Sequence, residues 1–353
     1  MPVPPRPLPR FFTEPRDPRA DPEVPGRLHP RASEGRVVTT GSLLAAGVSP
    51  FRLRGTDMSS PGRGLRALAG AEPGRIDMTR ALVEVTPGEP VLSHSTAAWL
   101  WGMWLPRRWE DERSVHLSMP RGAPSRPRRS GVVGHRLPKD ADVVRCAGFT
   151  VTSPAWTWTD LATQLVPWGR PERVPPAVEE RALEDLVIAG ESLVQTPLGA
   201  AARREPGEHP RCRLKDLVEV VDRRPNVRGV RLLRAALPLL RAGSGSPAES
   251  RLRLRLTAAG FPEPEMNRPL TLPDGSRIMP DLAWPALKIC LEYEGDHHRV
   301  EAEQFRADIR RVRQLEAAGW ICLRTAGDVW TEAGMRALSQ DLVRAFARRG
   351  VQL

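Results

Sequence analysis

Apolar and polar residues change their period several times along the chain, and each change marks an element. From Val37 to about Arg54, Leu43 and Leu44 open a short apolar helix, Gly47 breaks it, and Ser49-Pro50 opens a second. Helix, glycine turn and helix is the skeleton of a helix-turn-helix, and two short packed helices are the plainer alternative. Over residues 91–105 Ala97, Ala98, Leu100 and Trp101 form the apolar face of a helix that Ser93 or Ser95 can cap. His94 beside a capping serine reads as a structural histidine, and Trp99, Trp101 and Trp104 read as packing. Between Ser114 and Thr152 the period shortens to two, in the runs SVHLSM, GVVGHRL, ADVVRC and FTVT, which predicts small strands. Ser153-Pro154 then opens a helix through Leu165, and helices follow near 176–189, 213–222 and 229–241.

The last hundred residues carry the clearest pattern. Ser246 to Ala259 reads as a helix with Leu252 and Leu256 on one face, ended by Gly260. Pro273-Asp274-Gly275 marks a hairpin between RPLTL and SRIMPDLAW. A strand is predicted over 287–294. An amphipathic helix follows over 300–318, with Phe305, Ile309, Val312 and Leu315 inward. WICLRTA is another strand and 332–348 a final helix. This order predicts an α/β sandwich, preceded by an α+β region. The segment RAGSGSP at 241–247 reads as a flexible joint. The expected divisions are an arm over 1–35, a helix-turn-helix-like region over 36–110, an α+β region over 111–243 and a C-terminal domain over 244–353.

Composition narrows the function. The chain of 353 residues carries a net charge of +11. Lysine occurs only at Lys139, Lys215 and Lys288, so the positive charge is almost all arginine. G+C-rich codons would give the same skew, yet such a charge still makes a polyanion the expected partner class. Arg121, Arg126, Arg128 and Arg129 share one loop, and five arginines lie in 223–234; both are candidate phosphate contacts, with solvated surface as the alternative. No apolar run is long enough for a membrane span, and MPVPPRPLPRFF lacks the apolar core of a signal peptide. Cys146, Cys212, Cys290 and Cys322 form no CxxC pair, which argues against a disulfide scaffold or a structural zinc site. A reduced cytoplasmic interior is the expected location.

The predicted strand at 287–294 places Leu287, Ile289, Leu291 and Tyr293 on one face and Lys288, Cys290, Glu292 and Glu294 on the other. If it pairs as a hairpin with the preceding strand, Asp281 meets Glu292 and Glu294. From Asp281 to Asp296 there are four carboxylates and one lysine, a local charge of −3. Clustered carboxylates resist joint ionisation unless a cation joins them, and hard oxygen donors suit Mg²⁺ or Mn²⁺. The plain alternative is a solvated acidic edge.

Pro280-Asp281 followed by ten residues and Glu292-x-Glu294 resembles the PD-(D/E)XK nuclease superfamily. More closely, Asp281, Leu291-Glu292-Tyr293-Glu294-Gly295, His298, Phe305, Asp308, Arg311, Gly319-Trp320 and Leu323-Arg324 resemble a bacterial family of domains related to very-short-patch-repair endonucleases, over about residues 246–345. Upstream, VLSHSTAAWLWG and VTSPAWTWTDLA resemble abortive-infection-type antitoxin N-terminal domains. The resemblance implies a restriction-endonuclease-like fold and DNA as substrate. It implies metal ligation by Asp281 and Glu292, with the Tyr293 carbonyl as a third oxygen. Glu294 stands where the superfamily usually has its lysine. It is a candidate further ligand, with His298 as candidate general acid or base and His297 as its neighbour; Lys288 lies on the same predicted face.

Glu249 resembles the helix acid of such sites, while Ser246-x-x-Glu249 also reads as a capping box. Arg306, Arg310, Arg311 and Arg313 are candidate DNA contacts; Asp308 and Arg311 can also pair along the helix. The expected activity is metal-dependent hydrolysis of DNA phosphodiesters, in repair or phage defence. The alternatives are a non-cutting DNA-binding regulator of antitoxin type with a degenerate nuclease fold, and a protein-binding module bearing an acidic patch.

Overall fold

The computed structural model describes residues 34–110, 112–123, 126–165, 174–194, 212–295 and 302–353. They form two compact units, one lying within Met1–Leu165 and including Asn226–Arg228, the other comprising Val166–Pro225 and Gly229–Leu353. The class is mixed α/β. Residues 1–33 of the expected arm lie outside the described residues.

The first unit opens with β1 (Glu34–Gly35), β2 (Val38–Thr39), α1 (Thr40–Ala45), β3 (Met58–Ser59), β4 (Leu65–Leu68), β5 (Glu72–Pro73) and α2 (Arg75–Glu84). The order of the small sheet is β2-β4-β3. The second helix expected of a helix-turn-helix is here a single 3₁₀ turn, Arg52–Arg54. Gly47, at φ 83°, and Gly55 leave too little chain between them for a recognition helix. An Arg52–Asp57 ion pair at 2.5 Å then pins the turn. Leu43, Val48 and Leu53 bury together beside Val38, Met58 and Leu68, so the segment serves packing.

The rest of this unit comprises β6 (Val91–Leu92), α3 (His94–Leu100), α4 (Arg107–Glu110), β7 (Val115–Met119), β8 (Val132–Arg136), β9 (Val143–Cys146), β10 (Phe149–Thr152) and α5 (Pro154–Leu165). The expected helix over 91–105 is thus shortened, because Val91 and Leu92 join a five-stranded sheet of order β8-β7-β6-β10-β9. Leu92, Leu117, Phe149 and Val151 bury on it with Ala97 and Leu100 of α3.

The second unit contains α6 (Pro176–Glu191), α7 (Leu214–Arg223), α8 (Val230–Ala236), α9 (Pro247–Ala258), β11 (Glu265–Met266), β12 (Leu270–Thr271), β13 (Arg277–Ile278), β14 (Leu282–Trp284), β15 (Ile289–Tyr293), α10 (Ala302–Ala317), β16 (Ile321–Thr325) and α11 (Glu332–Ala347). Its main sheet has the order β11-β14-β15-β16, with β14–β15 antiparallel and β15–β16 parallel. β12 and β13 make the predicted hairpin, closed by Gly275 at φ 80°. Leu252, Leu256, Leu282, Leu291, Leu342 and Phe346 fill one side of the sheet. Cys290 packs on the other side with Leu272, Ile278 and Leu315.

Two expectations are corrected here. β15 starts at Ile289, not 287: Pro285–Leu287 form a 3₁₀ turn and Lys288 adopts φ 47°. And the stretch 241–247 is not a joint between units. The Arg241 amide donates to Glu191 Oε1 at 2.9 Å, and Ser250 Oγ donates to Ser244 Oγ at 2.7 Å. Arg253 of α9 is buried and bonds Glu191 at 2.6 Å and Glu263 at 2.7 Å. Arg255 and Arg251 of α9 pair with Glu184 and Asp185 of α6 at 2.9 and 3.4 Å. In the sequence these arginines fall off the face that carries Leu252 and Leu256, and α6 pairs with their side of the helix.

Candidate active site

β14 and β15 pair with Leu282 opposite Leu291, so Asp281, one step before β14, falls level with Glu292. Asp281 Oδ2 accepts the Tyr293 amide at 2.8 Å, which fixes its carboxylate beside the end of β15. Leu291 is buried in the core, and at the end of β15 Glu292 and Tyr293 are half-buried on opposite faces of the strand.

Glu249 arrives from the first turn of α9 and is buried. Ser246 Oγ accepts the Glu249 amide at 3.2 Å, as a cap should. The reciprocal half of the capping box is displaced: Glu249 Oε2 accepts the Gly245 amide, at 2.7 Å, in place of that of Ser246. Asn267 Nδ2 also donates to Glu249 Oε2, and the Asn267 amide donates to the Asp281 carbonyl at 3.0 Å. Asn267, held at φ 49°, therefore ties the helix acid to the strand acid. Sequence reading missed it; the only local signal was an asparagine, a residue that tolerates the left-handed region.

The electrostatics match this convergence. Burial pushes the Glu292 carboxyl up to about 7, with Asp281 adding to the rise and Arg311 opposing it. Burial and then Asp281 raise the Glu249 carboxyl, against the Gly245 and Asn267 donors. Arg311 Nη2 lies 2.6 Å from Glu292 Oε1 and 2.7 Å from the Met279 carbonyl. The arginine expected on DNA is thus committed to the acidic group.

The other expected residues divide. Glu294 pairs with Arg324 at 2.5 Å, and both are about half exposed. Lys288 lies at the start of β15, away from Glu292, and its Nζ donates to the Ala318 carbonyl at 3.1 Å. Arg310 and Arg313 are exposed on α10; Arg306 is on the same helix, its side chain outside the described residues, as is that of Asp308. His297 and His298 lie outside the described residues. Arg126 and Arg128 are exposed, whereas Arg129 donates to the carbonyls of Val85 and Arg63.

Asp281 and Glu292 lie level across the β14–β15 pair, and Asp281 acts electrostatically on both Glu249 and Glu292, but the three acids do not bring one oxygen apiece within 4.8 Å of one another. Burial is the first cause of both raised carboxyls and Asp281 adds to each; a divalent cation between Asp281 and Glu292 would relieve that repulsion, so these two fit such an ion on these grounds. Glu294, drawn to Arg324, does not share that environment.

The first unit holds a second group that sequence reading missed, the histidines His94, His116 and His135 on the face of the five-stranded sheet. Their signal was weak: one isolated histidine in each of three separate elements.

No family model matches the chain. Two proteins of Mycobacterium tuberculosis, from two strains and each called uncharacterized, are 29% identical to it over 281 residues. Those residues are 78% of this chain and 90% of each relative. Among the described residues, no helix is long and apolar enough to cross a membrane.

Proposed function

We propose that the second unit is a metal-dependent nuclease of restriction-endonuclease-like fold that hydrolyses DNA phosphodiesters. The register that sets Asp281 level with Glu292, with Glu249 near enough for Asp281 to raise its carboxyl, carries this reading. The helix–strand–strand–strand–helix–strand order of α9, β11, β14, β15, α10 and β16, with a mixed four-stranded sheet, supports the fold. The chain's charge of +11 supports a polyanionic substrate.

Asp281 and Glu292 would hold the cation, Mg²⁺ or Mn²⁺. When bound, it would lower the pKa of a water and neutralise charge on the scissile phosphate. Asn267 orients Glu249 and, through the Asp281 carbonyl, the start of β14. The Tyr293 amide holds Asp281 in place. Arg311 opposes the rise that burial imposes on the Glu292 carboxyl, which still lies up at about 7. Arg310 and Arg313, exposed on α10, supply positive charge for backbone phosphates.

One observation favours a second reading. Arg311 already supplies Glu292 with a cation, and Arg324 draws Glu294 from the position where a lysine would orient the water. In that reading the site is degenerate and the protein binds DNA without cutting it, as a regulator.

The two readings part in one assay. Purified protein is incubated with plasmid and with labelled single-stranded DNA in Mg²⁺, Mn²⁺ or chelator, beside Asp281→Asn. Cleavage that needs metal and disappears in Asp281→Asn is the expected result. Salt-sensitive DNA binding that is equal in chelator, with no cleavage by either protein, overturns the nuclease in favour of the regulator.

A further inference from the structure

The first unit gathers three of the chain's seven histidines. His116 lies on β7 and His135 on β8, which pair in parallel with Ser118 opposite His135, so both rings project from one face of the sheet. His94 is the first residue of α3, and its ring stacks on that of His135 with centroids 3.6 Å apart. The His116 ring lies 5.0 Å from that of His135 and 5.7 Å from that of His94. One nitrogen from each ring lies within 4.8 Å of the other two. His94 and His116 are buried and His135 is half-buried.

The surroundings are built to orient these rings. His116 Nε2 lies 2.9 Å from Glu112 Oε1, and Glu112 Oε2 accepts from Ser95 Oγ at 2.7 Å. That leaves Nδ1 of His116 turned to His135 Nε2, at 2.9 Å. His94 Nδ1 lies 2.9 Å from Ser93 Oγ and 3.8 Å from Asp160 Oδ2. Ser118 Oγ donates to Ser93 Oγ at 2.7 Å, and Gln164 bonds both the amide and the hydroxyl of Ser95. His116 thus has a carboxylate behind it and His94 a hydroxyl, the kind of partner that fixes tautomer and aim in histidine metal sites. His94 is held at φ 54°, in the left-handed region that few non-glycine residues adopt. Ser93 at its N-cap makes no capping bond, its hydroxyl being spent on His94 and Ser118.

We propose that His94, His116 and His135 form a zinc site, with Glu112 orienting His116 and the Ser93 hydroxyl orienting His94. Zinc bonds to imidazole nitrogen are about 2.0–2.1 Å, which sets tetrahedral ligand atoms about 3.3 Å apart. To meet that spacing the His116–His135 pair opens from 2.9 Å, and His94 swings out of its stack on His135 to bring in a nitrogen that now lies within 4.8 Å of the other two. Three neutral nitrogens suit a borderline cation such as Zn²⁺ rather than the hard Mg²⁺ expected at the carboxylates. Both oxygens of Glu112 are committed to His116 and Ser95, so the fourth position goes to water or an outside ligand. The absence of a CxxC pair excluded a cysteine-based zinc site only; histidines from three elements need no such motif.

The test uses the full-length protein, stripped with chelator, dialysed and titrated with Zn²⁺ by calorimetry and with Co²⁺ by visible absorption. Wild type is expected to take up one equivalent at this site and to give the visible Co²⁺ bands of tetrahedral nitrogen ligation. His135→Ala, chosen because this ring is the least buried, is expected to lose the bands and at least tenfold in Zn²⁺ affinity. Glu112→Gln is expected to lower the affinity about tenfold while retaining the bands. Asp281→Asn is expected to leave both unchanged, separating this site from the acidic one. No uptake by wild type overturns the proposal, as does uptake that survives His135→Ala and vanishes in Asp281→Asn. Should His135→Ala not fold, imidazole ¹⁵N spectra of the wild type decide. Three histidines shifting on Zn²⁺ addition sustains the site, and none shifting overturns it.

Discussion

The two units bury ionisable groups in opposite ways. In the second unit, charge is met by charge: Arg253 sits between Glu191 and Glu263, Arg255 against Glu184, and Arg311 against Glu292. In the first unit the buried histidine group has two carboxylates beside it, Glu112 and Asp160. Burial first, then the neighbouring His94 and His116, drive His135 down to about 2, so its ring stays uncharged. Glu112 is held differently. Burial pushes its carboxyl up, but His116, Ser95 and Arg75 outweigh that and hold it below the usual range. A site rich in anions attracts a hard cation or a guanidinium. A site of neutral nitrogens attracts a borderline metal. The type of side chain buried therefore determines which ligand each place can take.

This contrast can be broken most severely at Arg311. Arg311→Ala strands a buried carboxylate, and at pH 8 the expected destabilisation is about 3 kcal/mol by chemical denaturation. At pH 5 Glu292 is protonated in the folded chain, and the cost falls to about 1 kcal/mol, that of a hydrogen bond. Equal losses at both pH values would show that the ion pair is not what Arg311 contributes.

A comparable effect follows from Glu292 itself. Its folded pKa of about 7 lies above the ordinary 4.5, so the folded chain holds the proton longer than the unfolded chain. Stability relative to Glu292→Gln is greatest below pH 4.5 and falls as pH rises to 7, by on the order of 3 kcal/mol, then levels. Thermal melts of both proteins across pH 4–8 measure it, and a difference that rises with pH would place the shift in the opposite direction.

The smallest effect lies in the first unit. Ser95→Ala removes one donor from Glu112 and an acceptor for Gln164, for an expected cost of about 1 kcal/mol. The same melts check it. A loss of several kcal/mol would mean that the histidine group depends on charge as heavily as the acidic site does.

Much of the second unit was legible from local pattern. The helix opened by Ser246-Pro247, the turn at Pro273-Asp274-Gly275, the amphipathic helix after Glu301 and the strand of Ile321–Thr325 each bury or bend residues that are neighbours in sequence. The pairing of Asp281 with Glu292 was legible too, since a hairpin register needs only the strand ends. Less legible was what lies across from an element. The sequence puts Arg253 off the Leu252–Leu256 face, and only the fold shows that Glu191 of α6 meets it there. Lys288 reads as part of the acidic face, yet a left-handed turn carries it off. Helix, glycine and helix predicted a recognition helix, and the spacing of Gly47 and Gly55 leaves only a 3₁₀ turn.

The sequence by itself determined the class of elements and the excess of positive charge, because periodicity and composition are read along the chain. Only the tertiary structure decided that Asn267 links Glu249 to Asp281, that Arg311 serves Glu292, and that three isolated histidines meet. Such meetings depend on strand order, on register and on one strained residue, His94. These bring together side chains that no local pattern relates.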